Sequence, residues 1–97
     1  MPSFKLSQKA VTDLVEVGIY TTKIWGKSQR NIYLKQFDDC FIQLSEIPNL
    51  GLKCDYIREG YRKFPQASHV IYYRLNPKNV VEIIRILHKS MDVDSKF

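Results

Sequence analysis

Apolar residues that recur every three or four positions predict a helix near the start of the chain. Before it, Phe4 and Leu6 alternate with a lysine as a short strand, and Ser7 is placed to cap the helix that follows. The apolar stripe of this helix comprises Ala10, Val11, Leu14, Val15, Val17, Ile19 and Ile24. Trp25 and Gly26 end it, because glycine accepts the backbone conformations found at helix termini.

A second helix is predicted to begin with Ser28 as its N-cap and to end before Pro48, which cannot continue a helix. Its apolar stripe comprises Ile32, Tyr33, Phe37, Cys40, Phe41 and Leu44. The link between the two helices is so short that we expect an antiparallel helical hairpin. Gly18 weakens the first helix by about 1 kcal/mol relative to alanine, which predicts close packing against another backbone.

Three strands are predicted in the second half of the chain. A polar loop covers residues 49–60, and β-branched and aromatic residues are then concentrated in residues 61–64, 68–75 and 80–87. Pro77 and Asn79 favour a tight turn between the last two of these runs. The last two strands are therefore expected to form an antiparallel hairpin.

Both faces of the last predicted strand are largely apolar. Strict alternation places Val81, Ile83, Arg85 and Leu87 on one face and Val80, Glu82, Ile84 and Ile86 on the other. The helical hairpin can cover only one face, so we expect the other to be partly covered by a terminal segment or a partner. The chain is therefore predicted to be one α+β domain over residues 1–97: an N-terminal strand, an antiparallel helical hairpin and a mainly antiparallel β-sheet, in the order β-α-α-β-β-β.

The composition favours a small basic domain with an acidic partner. The chain has 97 residues, a formal net charge of +5 and a pI near 9.3, which is compatible with nucleic acid or an acidic protein segment. The N-terminal residues show no secretion signal and no apolar run reaches membrane-spanning length, so we expect a cytoplasmic protein without a membrane partner.

The cysteines and histidines do not form a recognisable metal-binding pattern. Cys40 lies in a helical apolar stripe and Cys54 in the polar loop, and in a reducing compartment we expect no disulfide between them. Neither His69 nor His88 has a second ligand at metal-binding spacing. We therefore expect neither a metal nor a cofactor.

The order of elements and several residue strings resemble the RelE/ParE superfamily of bacterial toxins, and within it the ParE branch. The resemblance covers nearly the whole chain, and only the order and spacing of the strings together make it specific. The strings are Trp25-Gly26, Pro48-Asn49-Leu50-Gly51, Ile57-Arg58-Glu59-Gly60-Tyr61-Arg62, Ser68-His69-Val70-Ile71-Tyr72-Tyr73 and Ile86-Leu87-His88-Lys89-Ser90-Met91-Asp92. The chain departs from the usual ParE pattern at Glu59, where proline is frequent, and at Cys54 and Asp55, which replace a more basic loop.

The resemblance implies a toxin that poisons DNA gyrase, blocks replication and is held inactive by a ParD-type antitoxin. It implies no sequence-specific DNA binding by the toxin alone. The candidate gyrase-inhibition surface comprises Arg62, Arg85, His88, Lys89, Met91 and Asp92. The candidate groove for an antitoxin helix, which would insert apolar side chains at helical spacing, comprises Tyr20, Trp25, Tyr33, Phe37, Ile84 and Ile86.

The RelE branch of the same superfamily provides the alternative, a ribosome-dependent messenger RNA endonuclease. Such an enzyme needs cations around the scissile phosphate and a residue that handles a proton. Arg62, Arg85 and His88 form a partial set, but no tyrosine follows Tyr73, where the RelE branch usually has one. We therefore assign no catalytic residue and expect no enzyme. A third hypothesis is a basic module that binds nucleic acid directly.

Several of these residues also have a purely structural interpretation. Arg74 is interpreted as a strand residue paired with an acid such as Glu82, Glu59 or Asp92. His69 is interpreted as structural, and residues 89–97 as a short mobile end. The aromatic residues expected mainly in the core of the helical hairpin are Tyr20, Trp25, Tyr33 and Phe37.

Overall fold

The computed structural model describes residues 3–97. Its elements are β1 (Phe4–Leu6), α1 (Gln8–Trp25), α2 (Lys27–Glu46), β2 (Leu52–Lys53), β3 (Tyr61–Gln66), β4 (His69–Leu75) and β5 (Val81–His88), with single 3₁₀ turns at Pro48–Leu50 and Asp94–Lys96. This order confirms the α+β prediction, and the three later strands lie within two residues of their predicted bounds. Strand β2 was not predicted, because a two-residue strand is too short to show alternation.

Helix α1 begins as predicted. The Ser7 hydroxyl oxygen accepts a hydrogen bond from the Ala10 N–H at 3.0 Å, which satisfies one free donor of the first turn. Gly18 faces the side chains of Leu34 and Arg30 on α2, at 3.6 and 3.9 Å from where a Cβ would lie. The expected contact with another backbone is therefore wrong, since side chains of α2 fill this space.

Gly26 alone forms the link between the two helices. It has φ 90° and ψ 172°, a conformation that is nearly restricted to glycine. Its N–H donates to the Thr22 carbonyl at 2.9 Å, and its carbonyl accepts from the Arg30 N–H at 3.1 Å. The predicted cap at Ser28 is wrong, because this glycine both ends α1 and precedes α2, which begins at Lys27.

The strands form one five-stranded sheet in the order β1-β5-β4-β3-β2. Strand β1 runs parallel to β5, and the other neighbours are antiparallel. The predicted turn between β4 and β5 is confirmed: the Asn76 side chain accepts from the N–H groups of Lys78 and Val80 at 2.8 and 3.0 Å. Asn79 takes the positive φ of 61° that closes this turn.

A bulge in β5 reverses the predicted orientation of its second half. Tyr72 pairs with Arg85 but Tyr73 pairs with Ile83, so that Ile84 is an extra residue. The β5 residues that pack toward the helices are Val81, Ile83 and Ile86, and those on the other face are Ile84, Arg85 and Leu87. The strict alternation predicted for residues 80–87 is therefore correct through Ile84 and wrong from Arg85 onward.

The face of the sheet away from the helices, called here the second face, has its own apolar cluster. Its buried members are Cys54, Tyr61, Tyr72 and Leu87. Val93 packs against this cluster, and the Phe97 ring lies 5.1 Å from that of Tyr72. The expectation that a terminal segment covers this face is confirmed. Cys54 lies in the loop between β2 and β3, as predicted, although its side chain is buried. The mobility of residues 89–97 stays a prediction.

None of the helices formed by residues 3–97 combines the length and apolar character needed to cross a lipid bilayer.

Candidate functional site

A cleft of about 460 Å³ lies between α1 and the C-terminal half of β5, and we call it the α1/β5 cleft. Helix α1 contributes Asp13, Glu16 and Tyr20, while β5 and the following turn contribute Arg85, His88 and Met91. Strand β1 pairs only with the first half of β5, through residues 4–6. Within residues 3–97, no strand therefore pairs with the second half of β5 on this side, and the cleft opens there.

Two histidines stand at one end of this cleft. The rings of His69 and His88 lie edge to face with centroids 5.3 Å apart. His69 is buried and its Nδ1 lies 2.7 Å from the Tyr33 hydroxyl. Burial, and to a smaller extent the nearby His88, lower the pKa of His69. This supports the structural interpretation of His69, which stays uncharged near neutral pH.

His88 is partly exposed and is oriented by the turn after β5. Its Nδ1 accepts the Ser90 N–H at 3.1 Å and lies 2.7 Å from the Ser90 hydroxyl. Because Nδ1 is an acceptor, an uncharged His88 holds its proton on Nε2. The side chain is thereby fixed at the mouth of the cleft, beside the exposed Lys89 and Met91.

The arginines have different partners. Arg74 pairs with Glu82 at 2.7 Å across the β4–β5 hairpin, as predicted. Arg85 instead pairs with Asp13 of α1 at 2.8 Å. The hydrogen bond to Asp13 also raises the pKa of Arg85. Sequence spacing did not indicate this pair, because its members are separated by 72 positions.

The structure brings together most of the candidate gyrase-inhibition surface. Arg85, His88 and Met91 line the α1/β5 cleft, and Lys89 and Asp92 are exposed in the adjacent turn. Arg62 lies elsewhere: it pairs with Tyr73 in the sheet, whose side chain belongs to the core under the helices. Its Nη1 donates to the Gly51 carbonyl at 2.8 Å. Arg62 and Arg85 are therefore on opposite faces of the sheet.

The candidate antitoxin groove is brought together only in part. A second cleft of about 500 Å³, called here the aromatic cleft, is lined by Tyr20, Trp25 and Tyr33 and adjoins the α1/β5 cleft. Phe37 is fully buried beneath it. The bulge separates the remaining two candidates, Ile84 and Ile86, which belong to different apolar clusters on the two faces of the sheet.

Two of the four aromatic residues expected in the hairpin core are on the surface. Tyr20 is 59% exposed and Trp25 is 69% exposed. Phe37 and the partly buried Tyr33 do belong to the core cluster. Helical spacing alone could not distinguish these two groups, since both lie on faces of their helices that also carry buried residues.

A larger apolar depression, called here the hairpin groove, runs between α1 and α2 and has a volume of about 860 Å³. Lys23 and Arg30 lie on its rim. Its apolar wall is formed by three α1 residues that are spaced four positions apart, Val11, Val15 and Ile19, whose exposed fractions are 42, 57 and 63%. The sequence placed them in the α1 stripe but did not indicate that they remain uncovered.

Cys40 and Cys54 are both free of disulfides and buried, and the Cys40 thiol donates a hydrogen bond to the side-chain oxygen of Gln66 at 3.2 Å. Burial raises the pKa of each thiol. Among residues 3–97, no three His, Cys, Asp or Glu side chains are close enough to share a metal ion.

Comparison with known proteins places this arrangement in a family. Residues 4–93 match the model of the ParE toxin of type II toxin–antitoxin systems, parDE. The chain is 35% identical over 91 residues to Toxin ParE1 of Mycobacterium tuberculosis (strain H37Rv), covering 94% of this chain and 93% of that protein. It is also 35% identical over 92 residues to Toxin ParE1 of Caulobacter vibrioides, covering 95% and 94%.

A solved structure supports the same fold. It is described as the chromosomal ParDE TA system from P. aeruginosa, and it superposes with a TM-score of 0.77 over 91% of this chain and 96% of that chain, at 19% identity. The family model covers the described elements from β1 to the turn after β5, and the two relatives align with 94 and 95% of the chain. The chain therefore belongs to the ParE family of toxins of type II toxin–antitoxin systems.

Proposed function

We propose that this toxin acts in the bacterial cytoplasm by poisoning DNA gyrase, which blocks DNA replication, and that a ParD-like antitoxin neutralises it. The observation that carries the proposal is the ParE match over residues 4–93. This range includes every residue that lines the α1/β5 cleft except Lys96. The proposed contact surface is the exit of β5, where His88, Lys89, Met91 and Asp92 are partly or fully exposed.

The geometry favours binding over messenger RNA cleavage. The alternative enzyme would use Arg62, Arg85 and His88 around one phosphate. Arg62 lies on the helix side of the sheet and donates to Gly51, while Arg85 lies on the second face and is paired with Asp13. These cations do not converge on a common point, so we propose a toxin without its own catalytic chemistry.

Purified toxin added to gyrase supercoiling and cleavage reactions tests the proposal. We expect inhibited supercoiling and an accumulation of gyrase–DNA cleavage complexes. The variant H88A/K89A/M91A should lose this effect, whereas Lys35→Ala, which removes an exposed cation of α2, should retain it. Unchanged supercoiling with wild-type toxin would contradict the proposal, and messenger RNA cuts clustered within translated codons would support the alternative.

The hairpin groove is the proposed binding site for the antitoxin. The exposed row Val11, Val15 and Ile19 offers an apolar surface at helical spacing, which suits an amphipathic helix laid along the groove. Lys23 and Arg30 on its rim favour an occupant with acidic residues beside the apolar ones. We therefore propose an acidic amphipathic segment of the antitoxin as the occupant.

Charge substitutions can distinguish this groove from the aromatic cleft. Val15→Asp should weaken antitoxin binding by about thirtyfold or more, since a centrally buried apolar contact is typically worth about 2 kcal/mol. Ile24→Asp, which alters an equally exposed residue of the aromatic cleft, is the matched control and should bind normally. Isothermal titration calorimetry measures both; the reverse result would assign the antitoxin to the aromatic cleft.

A further inference from the structure

All three nitrogens of the Arg85 guanidinium group are engaged within the protein. Nε and Nη2 donate to the two carboxylate oxygens of Asp13, each at 2.8 Å. Nη1 donates to the Lys96 carbonyl at 3.0 Å. The side chains of Arg85 and Asp13 are only 15 and 7% exposed. This arginine is therefore poorly placed to contact a partner with its charge, and it joins three parts of the chain.

Asp13 accepts a backbone hydrogen bond from the part of β5 that β1 does not reach. The parallel pairing with β1 ends at Leu6, and Ser7 then donates its N–H and hydroxyl to the carbonyls of Ile83 and Ile84, at 2.9 and 2.7 Å. One Asp13 oxygen accepts the Ile86 N–H at 3.0 Å. A buried carboxylate with three donors in fixed positions holds β5 and the Arg85 side chain in one arrangement.

The C-terminal segment, residues 89–97, is anchored through this arrangement. Arg85 holds it at the Lys96 carbonyl, and the Phe97 ring packs edge to face against Tyr61 and Tyr72, with centroids 5.9 and 5.1 Å away. The segment leaves β5 at His88 and returns to the second face at these anchors. Between β5 and these anchors, Met91 lines the α1/β5 cleft and Lys89 is exposed in the turn beside it. The N–H groups of these two residues donate to the Ser68 and His88 carbonyls, each at 2.9 Å, so the anchors act together with this turn.

We propose that Asp13 and Arg85 are positioning residues for gyrase inhibition, which act by holding the C-terminal segment in the orientation that gyrase recognises. The inference rests on the proposed function and adds Asp13, a helix residue, to the set on which toxicity depends. It also changes the role of Arg85, which acts through the segment and not as a cationic contact.

A double-mutant cycle with Asp13→Asn, Arg85→Gln and the double variant tests this proposal. Asparagine retains an oxygen for the Ile86 N–H but loses the charge that holds the guanidinium group. Each single variant should inhibit gyrase about tenfold less well than the wild-type toxin. The double variant should inhibit gyrase as well as the less active of the two single variants, because both substitutions break one network.

A second readout does not depend on gyrase. The rate at which a carboxypeptidase removes Phe97, followed by mass spectrometry, reports how often the segment opens. Asp13→Asn and Arg85→Gln should each increase this rate about tenfold, because each substitution breaks the same network that anchors the segment. Glu82→Gln is the matched control, since it breaks the Arg74 ion pair near the same face without contact to the segment.

Phe97→Ala keeps the proposal testable if a substitution of the buried pair prevents folding. It loosens the second anchor of the segment while leaving Asp13 and Arg85 intact, and it should lower gyrase inhibition to a similar extent. Circular dichroism and antitoxin binding establish that each variant is folded.

Two results would overturn the proposal. The first is full inhibition by Asp13→Asn together with loss of inhibition by Arg85→Gln, which would make Arg85 a direct contact. The second is an unchanged rate of Phe97 removal in folded variants of the pair. If wild-type toxin itself leaves gyrase unaffected, the proposed function fails, while the carboxypeptidase rates still decide whether the pair anchors the segment.

Discussion

At the scale of single residues, the Tyr73 hydroxyl joins the segment after α2 to the centre of the sheet. It accepts the Gly51 N–H at 2.8 Å and donates to the Pro48 carbonyl at 2.7 Å, within a fully buried side chain. A Cβ on Gly51 would lie 2.5 Å from this hydroxyl oxygen, so only glycine fits. The Pro48-Asn49-Leu50-Gly51 string that contributed to the family resemblance thus has a structural role.

Tyr73→Phe should lower the free energy of unfolding by about 1–3 kcal/mol, because the buried Gly51 N–H and Pro48 carbonyl lose their partner. Urea unfolding followed by circular dichroism measures the change. Tyr56→Phe removes the same hydroxyl group from a side chain that is 73% exposed, and it should change stability by less than about 0.5 kcal/mol. Equal effects of the two substitutions would be inconsistent with this role for Tyr73.

His69 predicts a dependence of stability on pH. Its pKa is lowered in the folded protein by burial and by His88, so below pH about 6.5, the ordinary value for histidine, the unfolded chain binds the proton more readily. The contribution of His69 to stability is therefore complete above that pH and is lost as the pH falls toward the folded-state pKa. Urea unfolding at pH 7.5 and 5.5 should show a larger loss for wild-type protein than for His69→Gln.

At the scale of elements, the helical hairpin depends on two glycines in different ways. Gly26→Ala meets no neighbouring atom but forces a side chain into φ 90°, and should cost about 1–3 kcal/mol. Gly18→Ala adds an ordinary contact with Leu34 at 3.6 Å and should stabilise the protein by up to about 1 kcal/mol, because alanine favours helix. Thermal unfolding of both variants checks the opposite signs.

Strand β5 shows how a local pattern can locate an element and still misassign its faces. The alternating apolar residues correctly predicted a strand ending near His88. The extra residue at Ile84 then shifted every later side chain to the opposite face. A bulge of this kind depends on the neighbouring strand, whose Tyr72 and Tyr73 are paired across it, so residues 80–87 alone contain no signal for it.

At the scale of the whole molecule, the net charge of +5 should accelerate association with the proposed acidic antitoxin segment. Raising the salt concentration from about 0.05 to 0.5 M should slow association roughly tenfold, since screening removes electrostatic steering. Stopped-flow measurements of the association rate test this.

The double variant K23Q/R30Q should reduce the salt dependence of the association rate more than Lys35→Gln does, because Lys23 and Arg30 lie on the rim of the hairpin groove and Lys35 does not. An identical salt dependence would remove the charge argument for that groove.

The fold and the candidate site were predictable to different extents. The helix cap at Ser7, the helix end at Gly26 and the 76–79 turn depend on neighbouring backbone groups, so these structural roles could be recognised from the sequence. The exposure of Trp25 and the separation of Arg62 from Arg85 could not be recognised, because each depends on which elements pack together. The candidate surface at the exit of β5 was largely contiguous in sequence and remained together in the structure.

The sequence by itself determined the kinds of elements, their order and the family, since hydrophobic periodicity, turn residues and ordered motifs are local properties. Only the tertiary structure decided which residues face solvent, where the grooves lie and what holds the C-terminal segment. The Asp13–Arg85 pair illustrates the difference: its members are 72 positions apart, and only the packing of α1 against the uncovered half of β5 brings the two charges together.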